Sequence, residues 1–152
     1  MFLCPNESVG AVVKDEQGRF LCLYRQSKTE NDPTRGLAFL AGHRDWLDQS
    51  AGVLDPPVVA LGKEVYEEAN LIVTDCRLLL VKEFPNPCKR GFNSHKWWLY
   101  EVIHRDGQLI NKELDKHLWL KFLSTDEILS YVQRGDYDPA WGEYLWPALG
   151  II

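Results

Sequence analysis

The stretch Lys63-Glu64-Val65-Tyr66-Glu67-Glu68-Ala69-Asn70-Leu71 places the tightest constraint on how this chain can fold. Its three carboxylates stand at i, i+3 and i+4, and on a helix residues three and four apart share a face. At about 100° per residue, Glu64, Glu67 and Glu68 fall within an arc of about 100°. Val58, Leu61, Val65 and Ala69 fall on the adjacent arc, the stripe expected of a helix packed on a core. Like charges at this spacing repel. Either the face is solvated, as many acidic surface helices are, or a hard divalent cation held by oxygen ligands offsets the repulsion. Both ends are marked. Asp55-Pro56-Pro57 offers an Asx residue near the N-cap and prolines for the first turn. Asn70 stands where a left-handed closing residue is needed.

Around this helix the chain reads as strands. Ser8 to Val13 and Phe20 to Tyr24 are apolar runs separated by the turn Asp15-Glu16-Gln17-Gly18, which predicts a hairpin. A loop from Ser27 to Arg35 leads to the short run Gly36 to Leu40, then Ala41-Gly42-His43 and an irregular stretch from Arg44 to Leu54. Leu71 to Phe84 predicts a strand pair or one bent strand, Pro85 to Ser94 a loop, and Lys96 to Ile103 and Leu118 to Leu123 two more strands. Ser124-Thr125-Asp126-Glu127 has capping-box form and predicts a helix from Thr125 to Gln133. Asp138-Pro139 opens a short C-terminal helix ending near Gly150. The order strands, helix, strands, helix predicts an α+β fold with a mixed β-sheet and helices packed on it.

With 152 residues and no repeat or linker, residues 1–152 are expected to form one domain. The net charge of −5 lacks the basic footprint of a nucleic-acid binder, so no nucleic acid duplex is expected as partner. No apolar run reaches the length of a membrane span, and Met1 to Pro5 does not open a signal peptide. The four cysteines (Cys4, Cys22, Cys76 and Cys88) show no zinc-ligand spacing. Cys22 and Cys76 lie in apolar runs where a buried thiol is the simplest reading, so a reducing cytoplasm is expected.

The order of glycine loop, acidic helix, strands and final helix resembles the Nudix hydrolase family. The family signature ends in Arg-Glu-aliphatic-any-Glu-Glu-any-Gly-aliphatic, and Lys63 to Leu71 matches it at Glu64, Val65, Glu67, Glu68 and Leu71. Leu40-Ala41-Gly42-His43 looks like the opening of that motif, and Glu113 to Glu127 like the family's last strand and helix. Lys63 replaces the family's Arg and Asn70 its Gly. Counted from Gly42, the first family Glu falls on Asp48; counted back from Lys63, it falls on Asp55, so the loop is seven residues longer than the pattern. A Lys63–Asp55 pair could stand in for the family's Arg–Glu clamp, although an ammonium lacks the bidentate fork of a guanidinium.

The resemblance implies an α/β/α sandwich with helices on both sides of the sheet. It also implies hydrolysis of the pyrophosphate bond in a nucleoside diphosphate linked to another group, with Mg²⁺ or Mn²⁺ as cofactor. By the same resemblance Glu64, Glu67, Glu68 and the Gly42 carbonyl are the metal ligands, and Glu113 a further ligand or the general base, with Asp115 a weaker candidate. The substrate is then a small-molecule nucleotide; a homodimer is left open. Trp97 and Trp98 alternate on a strand and must face opposite sides, so one of them, with Trp46 and Arg25, is a candidate for substrate binding; core packing or plain exposure are the competing roles. His43 and His95 read as structural. By the same resemblance Pro87, sixteen residues past Leu71, stands at a spacing that marks the family's ADP-ribose subgroup, which slightly favours an ADP-ribose-like substrate over a nucleoside triphosphate. Lys63, Asn70 and the long loop also motivate an alternative, a nucleotide-binding or sensor domain that has lost catalysis.

Overall fold

The computed structural model describes residues 6–26, 35–48, 50–86 and 94–152. Pro87, Cys4, Cys88 and the side chain of Asp48 lie outside what is described. In chain order the elements are β1 (Glu7–Val13), β2 (Phe20–Arg25), β3 (Gly36–Ala38), β4 (Leu40–His43), β5 (Trp46–Asp48), β6 (Val53–Leu54), α1 (Pro57–Ala69), β7 (Ile72–Phe84), β8 (His95–Asp106), β9 (His117–Leu123) and α2 (Thr125–Gln133). A π-helical turn, Ala140–Leu145, then runs into α3 (Trp146–Leu149).

The strands form a mixed four-stranded sheet, β4-β1-β8-β7, an antiparallel three-stranded sheet, β3-β2-β9, and the small ribbon β5-β6. Within the first sheet β1 runs parallel to β8 and antiparallel to β4. With its helices this is the expected α+β architecture.

The expected β1–β2 hairpin does not form. The chain does turn at Asp15, whose carboxylate accepts from the backbone N–H groups of Gln17 and Arg19. Only the bridge between Lys14 and Phe20 pairs across that turn, and β2 then enters the other sheet. The cause lies in the burial pattern: β1 is buried at six successive positions, as in a strand covered on both faces. Alternation on one face, which a solvated hairpin would need, is missing. Phe39 joins the two sheets, since it sits between β3 and β4 and packs on Phe20, Trp141 and Trp146 with centroids 5.6, 5.1 and 5.4 Å apart. Trp141 comes so close to β1 that a Cβ at Gly10 would lie 2.9 Å from its ring.

Helix α1 packs on β4, β1 and β7. Its buried stripe is Ala60, Leu61, Val65, Glu68 and Ala69. Val58, expected in that stripe, is 49% exposed. Asp55 does not cap the helix. Pro56 holds the N-cap without a side-chain hydrogen bond. At the other end Asn70 takes the left-handed conformation at φ 62°, and its amide donates to the Gln108 carbonyl at 2.8 Å. Helix α2 begins with the capping box of Ser124 and Glu127. The long run after α1 is one strand, β7, bent by register shifts near Asp75 and Leu80. The stretch expected to be irregular before α1 contains the β5–β6 ribbon. No helix among the described residues is long and apolar enough to cross a membrane.

Candidate metal and catalytic site

Because α1 lies across β4, one flank of the helix faces the strand that carries Ala41 and Gly42. Glu68 lies in the buried stripe and is only 2% exposed. Its Oε1 accepts from the Ala41 N–H at 2.8 Å. Its Oε2 lies 3.3 Å from His117 Nε2 and 3.9 Å from Arg25 Nη2. One turn earlier the Glu64 carboxyl rests against Gly42, in space that a Cβ on residue 42 would fill. Glu67 is exposed at the rim. Glu113 arrives from the loop before β9 and pairs with Lys116 at 2.8 Å. All of these line one cavity of about 290 Å³, together with Arg25 and Gly42.

The electrostatics follow from this crowding. Burial, reinforced by the Glu68 and Glu67 charges, pushes the Glu64 carboxyl up to about 9. Burial also raises Glu68, to about 7, against the pull of Arg25 and the Ala41 N–H. His117 is depressed to about 3, first by burial and then by the Arg25 and Lys116 charges. At neutral pH the cavity therefore holds a neutral imidazole and a protonated Glu64, with Glu68 near its midpoint. A divalent cation would take the place of those protons.

No protein-family model and no curated protein matches the sequence. Solved structures do match its fold. The chain resembles a MutT NUDIX hydrolase from Burkholderia pseudomallei (TM-score 0.62, 23% identity, 78% of this chain and 82% of that one). It also resembles a MutT studied in Aliivibrio salmonicida and Vibrio cholerae (TM-score 0.63, 13% identity, 96% and 98%). A third match is an Ap4A hydrolase from C. elegans in a binary complex (TM-score 0.56, 19% identity, 82% and 83%). The fold is the Nudix fold.

Within this Nudix frame, Gly42, Glu64, Glu67, Glu68, Glu113 and Arg25 meet in the cavity, where the sequence reading expects the chemistry. Arg25 lies between Glu68 and Asp138, with its Nε 3.7 Å from Asp138 Oδ2. The two tryptophans of β8 separate as their alternation requires. Trp97 lines the cavity but is nearly buried, donates its indole N–H to Asn86 at 2.9 Å and packs edge-on against Trp141. Trp98 is on the opposite face, where it donates to Glu7 at 2.9 Å and lies under Arg44 and Lys96. Trp46 sits on β5 near Gly52. Neither Trp98 nor Trp46 lines the cavity among the described residues. His43 and His95 line it as a tilted ring pair 5.6 Å apart.

Lys63 and Asp55 do pair, Nζ to Oδ2 at 2.6 Å. Asp55 is 1% exposed, and its other oxygen has no hydrogen-bond partner among the described residues. This places Asp55 opposite Lys63. Lys63→Ala strands the buried carboxylate and is expected to lower stability by roughly 1–3 kcal/mol, read as an earlier guanidinium-chloride midpoint; Lys63→Arg, which keeps the charge, is expected to lose less.

Among the cavity residues that the sequence reading gives no role are Asp138 and His117. Asp138 follows from the C-terminal π-helical turn, whose start lines the cavity. His117 comes from β9, whose register sets it beside Arg25 on β2. The available signal was its position four residues after Glu113, where the acidic loop enters the strand.

Proposed function

We propose that this protein is a metal-dependent hydrolase that cleaves the pyrophosphate bond of a nucleoside diphosphate derivative, an ADP-ribose or nucleotide-sugar type of compound or a nucleoside triphosphate. The observation that carries this reading is the convergence of Glu64, Glu67, Glu68 and Glu113 on one cavity against the bare backbone of Gly42. The naming of the fold neighbours as MutT and Nudix hydrolases, one of them an Ap4A hydrolase, supports it.

The donor set suits Mg²⁺ or Mn²⁺, since carboxylate and carbonyl oxygens are the ligands such hard ions prefer. The missing Cβ at Gly42 leaves room for the Glu64 carboxylate beside the strand. Glu64, Glu67 and Glu68, with the Gly42 carbonyl, would hold the ion. When bound, such an ion neutralises phosphate oxygens and lowers the pKa of the attacking water. The chain's own residues supply the remainder. The Ala41 N–H fixes one oxygen of Glu68. The half-buried Glu113 is placed to be a ligand or to accept the proton of the water. Arg25 holds the second oxygen of Glu68 in the field of a fixed positive charge.

The test is a panel of nucleotide sugars, dinucleoside polyphosphates and nucleoside triphosphates with Mg²⁺ or Mn²⁺, followed by release of mononucleotide, phosphate or pyrophosphate. Metal-dependent turnover is expected, with loss in the Glu67→Gln/Glu68→Gln double variant. Unchanged activity in that variant removes these ligands from the reading. Nucleotide binding without turnover of any panel member would convert the reading to a binding or sensor domain.

A further inference from the structure

We propose that Asn70 is a positioning residue: its side-chain amide ties the loop between β8 and β9 to the last turn of α1 and thereby holds Glu113 in the cavity. The proposal rests on the hydrolase reading for what Glu113 does there. How Glu113 is held stands on geometry of its own.

The loop that follows β8 is not anchored by its apolar side chains. Leu109 is 36% exposed, Ile110 46% and Leu114 71%. Glu113 nonetheless lines the cavity, and one of its oxygens lies within 4.8 Å of a Glu68 oxygen. The ties that lead to it start from the turn of α1 that carries Glu67 and Glu68. Gly107, at φ 94°, lets the backbone pass so close to the helix end that a Cβ there would stand 2.7 Å from the Asn70 carbonyl oxygen. The Asn70 amide donates to the Gln108 carbonyl at 2.8 Å. The Ile110 N–H donates to the Ala69 carbonyl at 3.0 Å. The Lys112 ammonium stands 3.5 Å from the centre of the Tyr66 ring, within the range of a cation–π contact. Glu113 follows directly. Its own carbonyl accepts from the N–H groups of Lys116 and His117, both at 2.9 Å, so the chain enters β9 within one turn.

Asn70 ends α1 in the left-handed conformation. Glycine adopts that conformation without strain and asparagine only tolerates it, so a residue that merely ends the helix needs no side chain there. The amide is what glycine lacks, and here it is directed at the loop. A misplacement of about 1 Å in a catalytic constellation can cost about 10²-fold in rate. A tether of this kind therefore acts on turnover well before it acts on stability.

The experiment is Asn70→Gly in the full chain, read by thermal melting, steady-state turnover and amide hydrogen exchange. The expected melting temperature is that of wild type or higher, since glycine suits the helix end. Even so, kcat is expected to fall about tenfold with KM little changed, and the amides of Ile110, Lys116 and His117 to exchange faster. In a Glu113→Gln background the same substitution should add no further loss, because the tether acts through that carboxylate. Lys112→Met removes the other side-chain tie, leaves the helix end untouched and should act in the same direction. Full turnover in Asn70→Gly overturns the proposal, as does an equal loss in the Glu113→Gln background. If the wild-type protein turns over no nucleotide, the hydrolase reading falls and exchange alone decides. Faster loop exchange in Asn70→Gly then upholds the tether, and unchanged exchange overturns it.

Discussion

Glu64→Gln is expected to cut metal-dependent turnover by roughly 10²-fold or more while raising the melting temperature of the metal-free protein at pH 8. The first half follows from the loss of a negative ligand, since metal stabilisation of transition-state charge amounts to several kcal/mol. The second follows from proton linkage. In the folded chain Glu64 keeps its proton to about pH 9, whereas its ordinary value is 4.5. Unfolding above pH 4.5 therefore releases a proton, and stability present below that pH is lost as the pH rises towards 9. Glu68 adds a loss of the same sign, complete near pH 7. His117 works in the other direction: its value falls from 6.5 to about 3 on folding, so its contribution is lost as the pH drops through that window. The metal-free wild-type protein should then be most stable near pH 4.5, where the two carboxyls begin to outweigh the histidine, and should weaken steadily towards pH 9. Glutamine cannot ionise in either state, so Glu64→Gln should flatten the decline between pH 7 and 9. Thermal melts across pH, with and without Mn²⁺, give the answer. A variant that melts below wild type at pH 8 would mean that Glu64 is ionised and well paired in the folded protein.

Gly42→Ala carries the second large effect, and it separates site from scaffold. The new Cβ would overlap the Glu64 carboxyl. That carboxyl is the end of a flexible side chain, so it can swing away while β4 keeps its pairing with β1 at Val9. Stability should fall by no more than about 1–2 kcal/mol. Divalent-cation affinity should fall at least about tenfold, as when a group that holds a ligand in place is removed, and turnover with it. Calorimetric titration with Mn²⁺ beside a denaturant melt distinguishes the two. A variant that binds Mn²⁺ as wild type does would show that Glu64 is not held against Gly42 when the ion is bound.

These outcomes trace to features of unequal legibility. The acidic helix could be read from the chain because every determinant is local: prolines at the start, Asn70 at the end, and carboxylates at helical spacing between them. The Lys63–Asp55 pair was legible for the same reason, since Asp55 stands beside the prolines that open the helix, eight residues before Lys63. Val58 misled because periodicity gives the direction of a side chain and not whether anything is packed against it. The β1–β2 turn misled because adjacent strands usually pair, yet a strand buried on both faces had to be flanked by β4 and β8 instead. His117 was invisible because its meaning depends on the β2–β9 register and on α1 crossing β4, two relations between distant segments. Trp97 and Trp98 were legible as a pair on opposite faces, while which of them meets the cavity was a question of sheet order.

The parallel pairing of β1 with β8 sets the order in which this molecule can assemble. Ser8 lies beside Trp97 across that pair, so the central strands of the larger sheet meet only after most of the chain is available. Such long-range closure is entropically costly and slows folding. Helix α1 can begin to coil as soon as it is made, but β4 has no finished sheet behind it until β8 arrives, and His117 enters later still. During synthesis the acidic helix is thus exposed to solvent, where its carboxylates are ordinary acids. The crowding that raises the proton affinity of Glu64 and Glu68 is complete only when the C-terminal third closes over them.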